Sequence, residues 1–309
     1  MSTSESAVTA PAAPRSSQGR HHHDPSRRSR FGFLLAGGPW LWMLAFFIGP
    51  LGILVAWSFQ PPGMSLTLGS PTMLGYQSMA QADPYWSLLW WTLVTAFVVA
   101  VASVALAYPI AYFLALIAGR HRYVLLGLAF VPFLTSYVLR IFAWRLILGR
   151  TGLLNTALLD LGLIHNPIGA LLYSRLTVII VLTYVWVPWA ALPIFVRLDA
   201  LDSGLLAAAS DLGASPRRTL RRVVLPLSLP GVYTAFFLVF IPTIGDFATA
   251  SYVGGTNGIM LGNVVQDFLN NVNYPSGAVL SVAMLAIALV LMLVAVRIMR
   301  IKDVTDVKI

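Results

Sequence analysis

Residues 201–231 read LDSGLLAAASDLGASPRRTLRRVVLPLSLPG, a polar segment with four arginines between two long apolar runs. The order of residues predicts two short helices joined at an elbow. Ser203 is placed to cap a helix over 204–212, and Gly213 supplies the permissive backbone that ends it. Ser215 is placed to cap a second helix with Pro216 at its first position, where the missing N–H costs nothing. Arg217 and Arg221, like Arg218 and Arg222, stand four apart and share a face. Pro226 and Pro230 are expected to stop that helix and hand the chain to the next apolar run. A helix–glycine–helix elbow is a rigid handle for another protein. The plainer reading is a solvated basic loop that obeys the positive-inside bias.

Outward from this segment the chain is apolar. Hydrophobic residues make up 58% and charged residues 10% of 309, and the mean hydropathy is +0.80, which defines an all-α integral membrane protein. A spanning helix needs about 20 apolar residues. Six segments qualify, at 33–58, 88–118, 123–147, 176–196, 232–253 and 278–298. The second is long enough to tilt, to bend near Pro109, or to project beyond the bilayer. The domain plan is a disordered tail over 1–30, a six-helix domain over 31–300 with its polar segment at about 200–231, and a short tail over 301–309. The apolar run after residue 30 is too long for a signal-peptide core, so it is expected to remain as an anchor.

The charges set an orientation. Residues 59–87 and 253–277 contain no lysine or arginine, whereas Arg15, Arg20, Arg27, Arg28 and Arg30 precede the first span. Arg120 and Arg122 follow the second, and Arg297, Arg300 and Lys302 close the chain. Both termini and the 200–231 segment are therefore expected on the cytoplasmic side, with 59–87, 148–175 and 253–277 outside. The net charge of +9 sits in loops and tails, which suits membrane topology and anionic lipid headgroups and argues against nucleic acid. His21, His22 and His23 read as part of the tail rather than a metal site.

No catalytic set is apparent. Lys302 and Lys308 are the only lysines, so no glycine-rich loop has the lysine that an ATP-binding P-loop needs. Cysteine is absent, and His121 and His165 fall in loops on opposite sides. The expected function is transport, without a bound metal or cofactor. Ionisable residues at membrane depth are costly and mark pathways. Arg140 and Arg145 in the third span and Asp246 in the fifth are such residues. Either Asp246 neutralises one of the arginines, or Pro242 and Gly245 loosen the helix and expose the carboxylate to a cavity. Tyr137, Trp144, Tyr184, Trp186, Trp189 and Phe247 lie on the same segments. Those facing inward are suited to hold an organic cation.

The polar segment also carries a family pattern. Ala207-Ala208-Ala209, three residues, Gly213, nine residues, Val223, one residue and Leu225-Pro226 resemble the EAA loop of ABC-importer permeases, Glu-Ala-Ala, three residues, Gly, nine residues, Ile, one residue, Leu-Pro. Ala207 stands where the family has Glu, which removes one expected charged contact. The run from Ser136 to Trp144 followed by Gly152-Leu153-Leu154-Asn155 is similar to spermidine/putrescine permeases. So is Phe240 to Phe247, continuing into Gly254-Gly255 and Leu261-Gly262-Asn263.

The likeness extends over about residues 40–300. It implies the type I ABC importer permease fold and a small organic cation, a polyamine, as solute, taken up across the inner membrane of a prokaryote. It also implies an ATPase subunit dimer, a second permease subunit and an extracytoplasmic binding protein as partners. In the resemblance, Ala207, Ala208, Ala209, Gly213, Ser215, Arg217, Arg218, Val223, Leu225 and Pro226 form the ATPase-coupling loop. The substrate pathway is expected to involve Asp246, Tyr137, Trp144, Tyr184, Trp186 and Arg140. Related ferric-iron, thiamine and opine importers share the pattern and are the alternative. A self-contained secondary transporter would favour an inverted repeat, and none is visible.

Overall fold

The computed structural model describes residues 25–63 and 69–305. The run of His21 to His23 and most of the expected tail over 1–30 lie outside them. Helix α1 spans Pro25–Ser58, so residues 25–30, assigned to the tail from composition, are helical; Pro25 at the first position is preorganised for a helix start. The described residues form two units, one ending at Gly52 and the other beginning at Ile53. In the first, every residue from Gly38 to Pro50 is exposed, as suits a surface that meets lipid or another apolar chain.

The second unit is a helical array, and no strand occurs among the described residues. A short helix α2 (Leu74–Gln81) leads into α3 (Asp83–Leu116), which continues unbroken through Pro109. At ~1.5 Å per residue, 34 residues extend about 51 Å, well beyond a hydrocarbon core of about 30 Å. The chain then forms α4 (Arg122–Phe130), α5 (Tyr137–Leu148), α6 (Leu153–Asp160) and α7 (Arg175–Asp199). After the polar segment come α10 (Leu225–Ile244), α11 (Leu261–Asn270) and α12 (Tyr274–Thr305), with α8 (Ser203–Asp211) and α9 (Pro216–Thr219) inside that segment.

Helices α3, α7 and α10 pack on one another at the centre. Ala96, Ala100, Ala107 and Ala111 are fully buried on α3, and such small side chains let helix backbones approach closely. Val178, Val181, Leu182, Ile194 and Leu198 of α7 and Ala235, Val239 and Ile244 of α10 fill the space between. At Gly231 of α10 an added Cβ would stand 2.8 Å from both Pro193 O and Arg197 Cγ, so only glycine fits this crossing.

Two expected spans differ from their sequence reading. The third, expected as one run over 123–147, is broken. The segments Gly119–Leu134 and Tyr137–Asp160 meet at an 83° bend. Pro132 lacks an N–H, Thr135 and Ser136 adopt extended backbone, and the Thr135 hydroxyl donates to Pro132 O at 2.7 Å. These local bonds compete with the helical ladder. Among the described residues five helices are long and apolar enough to cross a membrane, or six where the bent pair counts as one span.

The fifth span also moves. It runs over Pro216–Ile244 rather than 232–253, so Asp246 lies just past its end and not within it. Pro226 and Pro230 do not stop the preceding helix. A π turn over Leu220–Val224, closed by the Leu225 N–H on Leu220 O, joins α9 to α10. The wider turn makes room for the Pro226 ring, which in a regular α-helix clashes with the carbonyl four residues back.

Candidate functional site

Where α10 ends, the Gly245 N–H donates to Pro242 O and the Asp246 N–H to Thr243 O, both at 3.2 Å, and the chain turns. Asp246 then opens a helical turn over 248–254. Its Oδ2 accepts the Thr249 N–H at 3.1 Å, the bond of an N-cap aspartate. Its Oδ1 accepts the Tyr137 hydroxyl at 2.8 Å and the Thr249 hydroxyl at 3.2 Å. Tyr137 is the first residue of α5, directly after the bend. The break in the third span and the end of the fifth therefore meet in one polar cluster. In a membrane, irregular backbone is tolerated where protein or a cavity satisfies it.

The neighbouring LGN run secures this turn. Gly262 lies so close that a Cβ would be 2.8 Å from Asp246 O and 3.0 Å from Gly245 O. Asn263 donates to Phe247 O at 2.9 Å and to the Ser251 hydroxyl at 2.7 Å, and accepts the Met260 N–H at 2.9 Å. Thr92 of α3 accepts the Leu261 N–H at 2.9 Å and ties the run to the central helices. Asn155, the last residue of the GLLN run, is fully buried and bonds Gly149 O and the Ile168 N–H, both at 2.9 Å. It closes the 148–175 connection in the same manner.

A cavity of about 820 Å³ lies at this junction, walled by Phe133, Tyr137, Arg140, Trp186, Trp189, Pro242, Asp246 and Phe247, with Val138, Val185 and Leu238. Trp189 meets Phe130 and Phe133 edge-on, with ring centroids 5.4 and 6.3 Å apart. The Arg140 guanidinium stands over the Phe133 ring at 4.4 Å and near the Tyr137 ring at 5.7 Å. Arg140 Nε and Nη1 and Trp186 Nε1 are buried without a hydrogen-bond partner.

Of the six residues expected in a substrate pathway, Asp246, Tyr137, Arg140 and Trp186 line this one cavity. Trp144 and Tyr184 lie outside its lining and pair with each other edge-on at 5.3 Å, packing α5 against α7. The pairing of Asp246 with Arg140 or Arg145 does not form: among the described residues the only ion pair is Arg122 with Asp199. Arg145 instead faces the Tyr173 ring at 5.7 Å. Phe133, Thr249, Gly262 and Asn263 also build the site, beyond the residues expected from sequence. The LGN run was a visible signal, but what it holds depends on a fold-back that spacing does not show.

The polar segment contains the expected helix–glycine–helix elbow, with its capping residues changed. Asp202, not Ser203, caps α8, accepting the Gly204 N–H at 2.8 Å; a carboxylate is the stronger acceptor at a helix start. The helix ends in a Schellman motif. The Gly213 N–H donates to Ser210 O at 2.9 Å, the Ala214 N–H donates to Ala209 O at 3.0 Å, and Gly213 has φ +73°. Ser215 holds the N-cap position before Pro216 without a side-chain bond. Ala207, Ala208, Gly213, Arg217, Arg218, Arg221, Arg222, Leu225 and Pro226 are exposed, Ala209 and Val223 half-buried, and Leu212 at the elbow is 88% exposed.

Among solved structures, a chain of a bacterial ABC transporter involved in the import of the acidic polysaccharide alginate superposes with a TM-score of 0.71. The two chains are 15% identical, over 89% of this chain and 96% of that one. The chain thus shares the fold of that transporter chain. Sequence comparison carries this further. The family model described as "Binding-protein-dependent transport system inner membrane component" matches residues 107–303. The Haemophilus influenzae "Spermidine/putrescine transport system permease protein PotB" is 32% identical over 257 residues, 83% of this chain and 90% of that protein. The Escherichia coli protein of the same name is 36% identical over 214 residues, 69% and 78% of the respective chains. The chain belongs to the family of binding-protein-dependent transport system inner membrane components.

Proposed function

We propose that this chain is the membrane permease subunit of an ATP-driven importer of polyamines, and that the cavity beside Asp246 is part of the path of the solute. The observation that carries the reading is a single carboxylate set among aromatic faces: Asp246 with Tyr137, Phe133, Trp186, Trp189 and Phe247 around about 820 Å³. An ammonium group entering such a cavity sheds water. The carboxylate offsets part of that cost by opposite charge, and the ring faces offset more by cation–π attraction. The similarity to spermidine/putrescine permeases over most of the chain supports the same solute class.

In this reading the exposed elbow over 200–231 docks in an ATPase subunit, with Leu212 and the arginines as its contact surface. A second permease subunit completes the path, and an extracytoplasmic binding protein delivers the solute. Both termini and the elbow face the cytoplasm, and the turn at Asp246 faces outward.

A second reading has its own observation. The buried, unpartnered donors of Arg140 and Trp186 suit a solute that also carries an acceptor, such as an opine carboxylate. One experiment separates the two. The complete transporter, reconstituted in vesicles, is given labelled spermidine or a labelled opine, with wild-type chain and with Asp246→Asn. Spermidine uptake that falls about tenfold or more in Asp246→Asn, with assembly unchanged, is expected, since removal of a desolvated charge partner is worth more than ~1.4 kcal/mol. Opine uptake, or spermidine uptake indifferent to Asp246→Asn, refutes the polyamine path.

A further inference from the structure

Asp199 is the last residue of α7, and Ala200 beyond it begins the elbow segment. Arg122 is the first residue of α4, the opening half of the bent span. The two side chains form an ion pair, Nη1 to Oδ1. The Tyr123 hydroxyl donates to the other carboxylate oxygen at 3.2 Å, and the Tyr123 ring meets Phe195 of α7 edge-on at 6.0 Å. The Arg122 guanidinium lies 4.9 Å from the centre of the Tyr123 ring.

Each charge stands at the helix end that disfavours it. An acidic residue at a helix C-terminus and a basic residue at an N-terminus both oppose the macrodipole. Neither therefore serves its own helix. What the two charges stabilise is the junction between helices, a contact tying the root of the elbow to the base of the bent span. From that base the span leads through Phe133 to the bend and then to Tyr137 and Arg140 at the cavity. We propose that the Arg122–Asp199 pair, steadied by Tyr123, is the positioning contact that transmits movement of the elbow to the cavity-bearing span. The proposal rests on the coupling role of 200–231 given above and not on the identity of the solute.

The test uses the complete transporter in vesicles and reads two quantities: the stimulation of ATP hydrolysis by loaded binding protein, and the yield of ATPase that co-purifies. Arg122→Gln and Asp199→Asn are each expected to lower the stimulation about fivefold, the change that ~1 kcal/mol of lost coupling produces, with ATPase yield unchanged. The exchanged pair, Arg122→Asp with Asp199→Arg, restores the contact and also places each charge at its favoured helix end. It should recover stimulation to within about twofold of wild type. Tyr123→Phe, which keeps ring and ion pair, should give a smaller loss.

Wild-type stimulation in both single variants overturns the proposal. So does an exchanged pair as impaired as the singles, or a fall that merely follows loss of the ATPase from the complex. A wild-type complex stimulated by its binding protein but inactive toward spermidine refutes the solute assignment and leaves this test intact.

Discussion

At Gly213 the backbone turns with φ +73°, and a Cβ added there meets nothing within 4 Å. The cost of a side chain at the elbow is therefore conformational, free of any clash with neighbours. Alanine in this left-handed region costs about 1 kcal/mol, and a β-branched valine about 2 kcal/mol. Asparagine is tolerated at such helix ends. Where the elbow must hold this angle to present α8 and α9 together, the strain appears as lost affinity for the ATPase subunit: about fivefold for Gly213→Ala and about thirtyfold for Gly213→Val. Gly213→Asn should stay near wild type. Gly213→Pro is expected to be worse than alanine, since it also removes the N–H that bonds Ser210 O. The assay is equilibrium binding of the ATPase subunit to purified, detergent-solubilised permease, with the yield of membrane-inserted protein measured alongside. Gly213→Val with wild-type affinity would refute the reasoning. So would a loss of insertion that parallels the loss of binding, because the elbow would then serve folding and not docking.

Gly262→Ala should lower thermal stability by roughly 1–3 kcal/mol, because the new methyl meets backbone oxygens of Asp246 and Gly245 at 2.8 and 3.0 Å that cannot swing aside; a melting temperature equal to wild type would mean the turn relaxes freely. The orientation is testable because the chain has no cysteine of its own. A cysteine at Val265 should react with an impermeant thiol reagent on intact cells and one at Arg218 should not. The reverse pattern overturns the charge-based topology. Position 65, also expected outside, lies beyond the described residues.

The class of this protein was legible in the chain because it depends on local features. About twenty consecutive apolar residues at a time, arginines confined to particular loops, and the spacing from Ala207 to Pro226 each act within one segment, and a membrane leaves a long apolar run few alternatives to a helix. The proline at the first position of α9 and the left-handed Gly213 follow for the same reason. Local rules fail where a neighbouring turn intervenes. Prolines at 226 and 230 were expected to end a helix, but a π turn absorbs the first and the helix continues. The run over 123–147 satisfied the length rule for one span while Pro132, Thr135 and Ser136 bent it by 83°.

Asp246 marks the division most clearly. From sequence it was an ionisable residue in an apolar stretch, with two arginines as candidate partners and a cavity as the alternative. Its actual partners are Tyr137, 109 positions away, and its own Thr249, while Gly262 and Asn263 pin the turn from the next element. Arg122 and Asp199, read only as loop charges or not singled out at all, form an ion pair across 77 positions. Helix formation by a long apolar run and the left-handed turn at Gly213 are decided by neighbours within a few residues, so sequence determines them. Which side chain satisfies a buried ionisable group is decided by the element the chain folds back against, and only the tertiary structure supplies that partner.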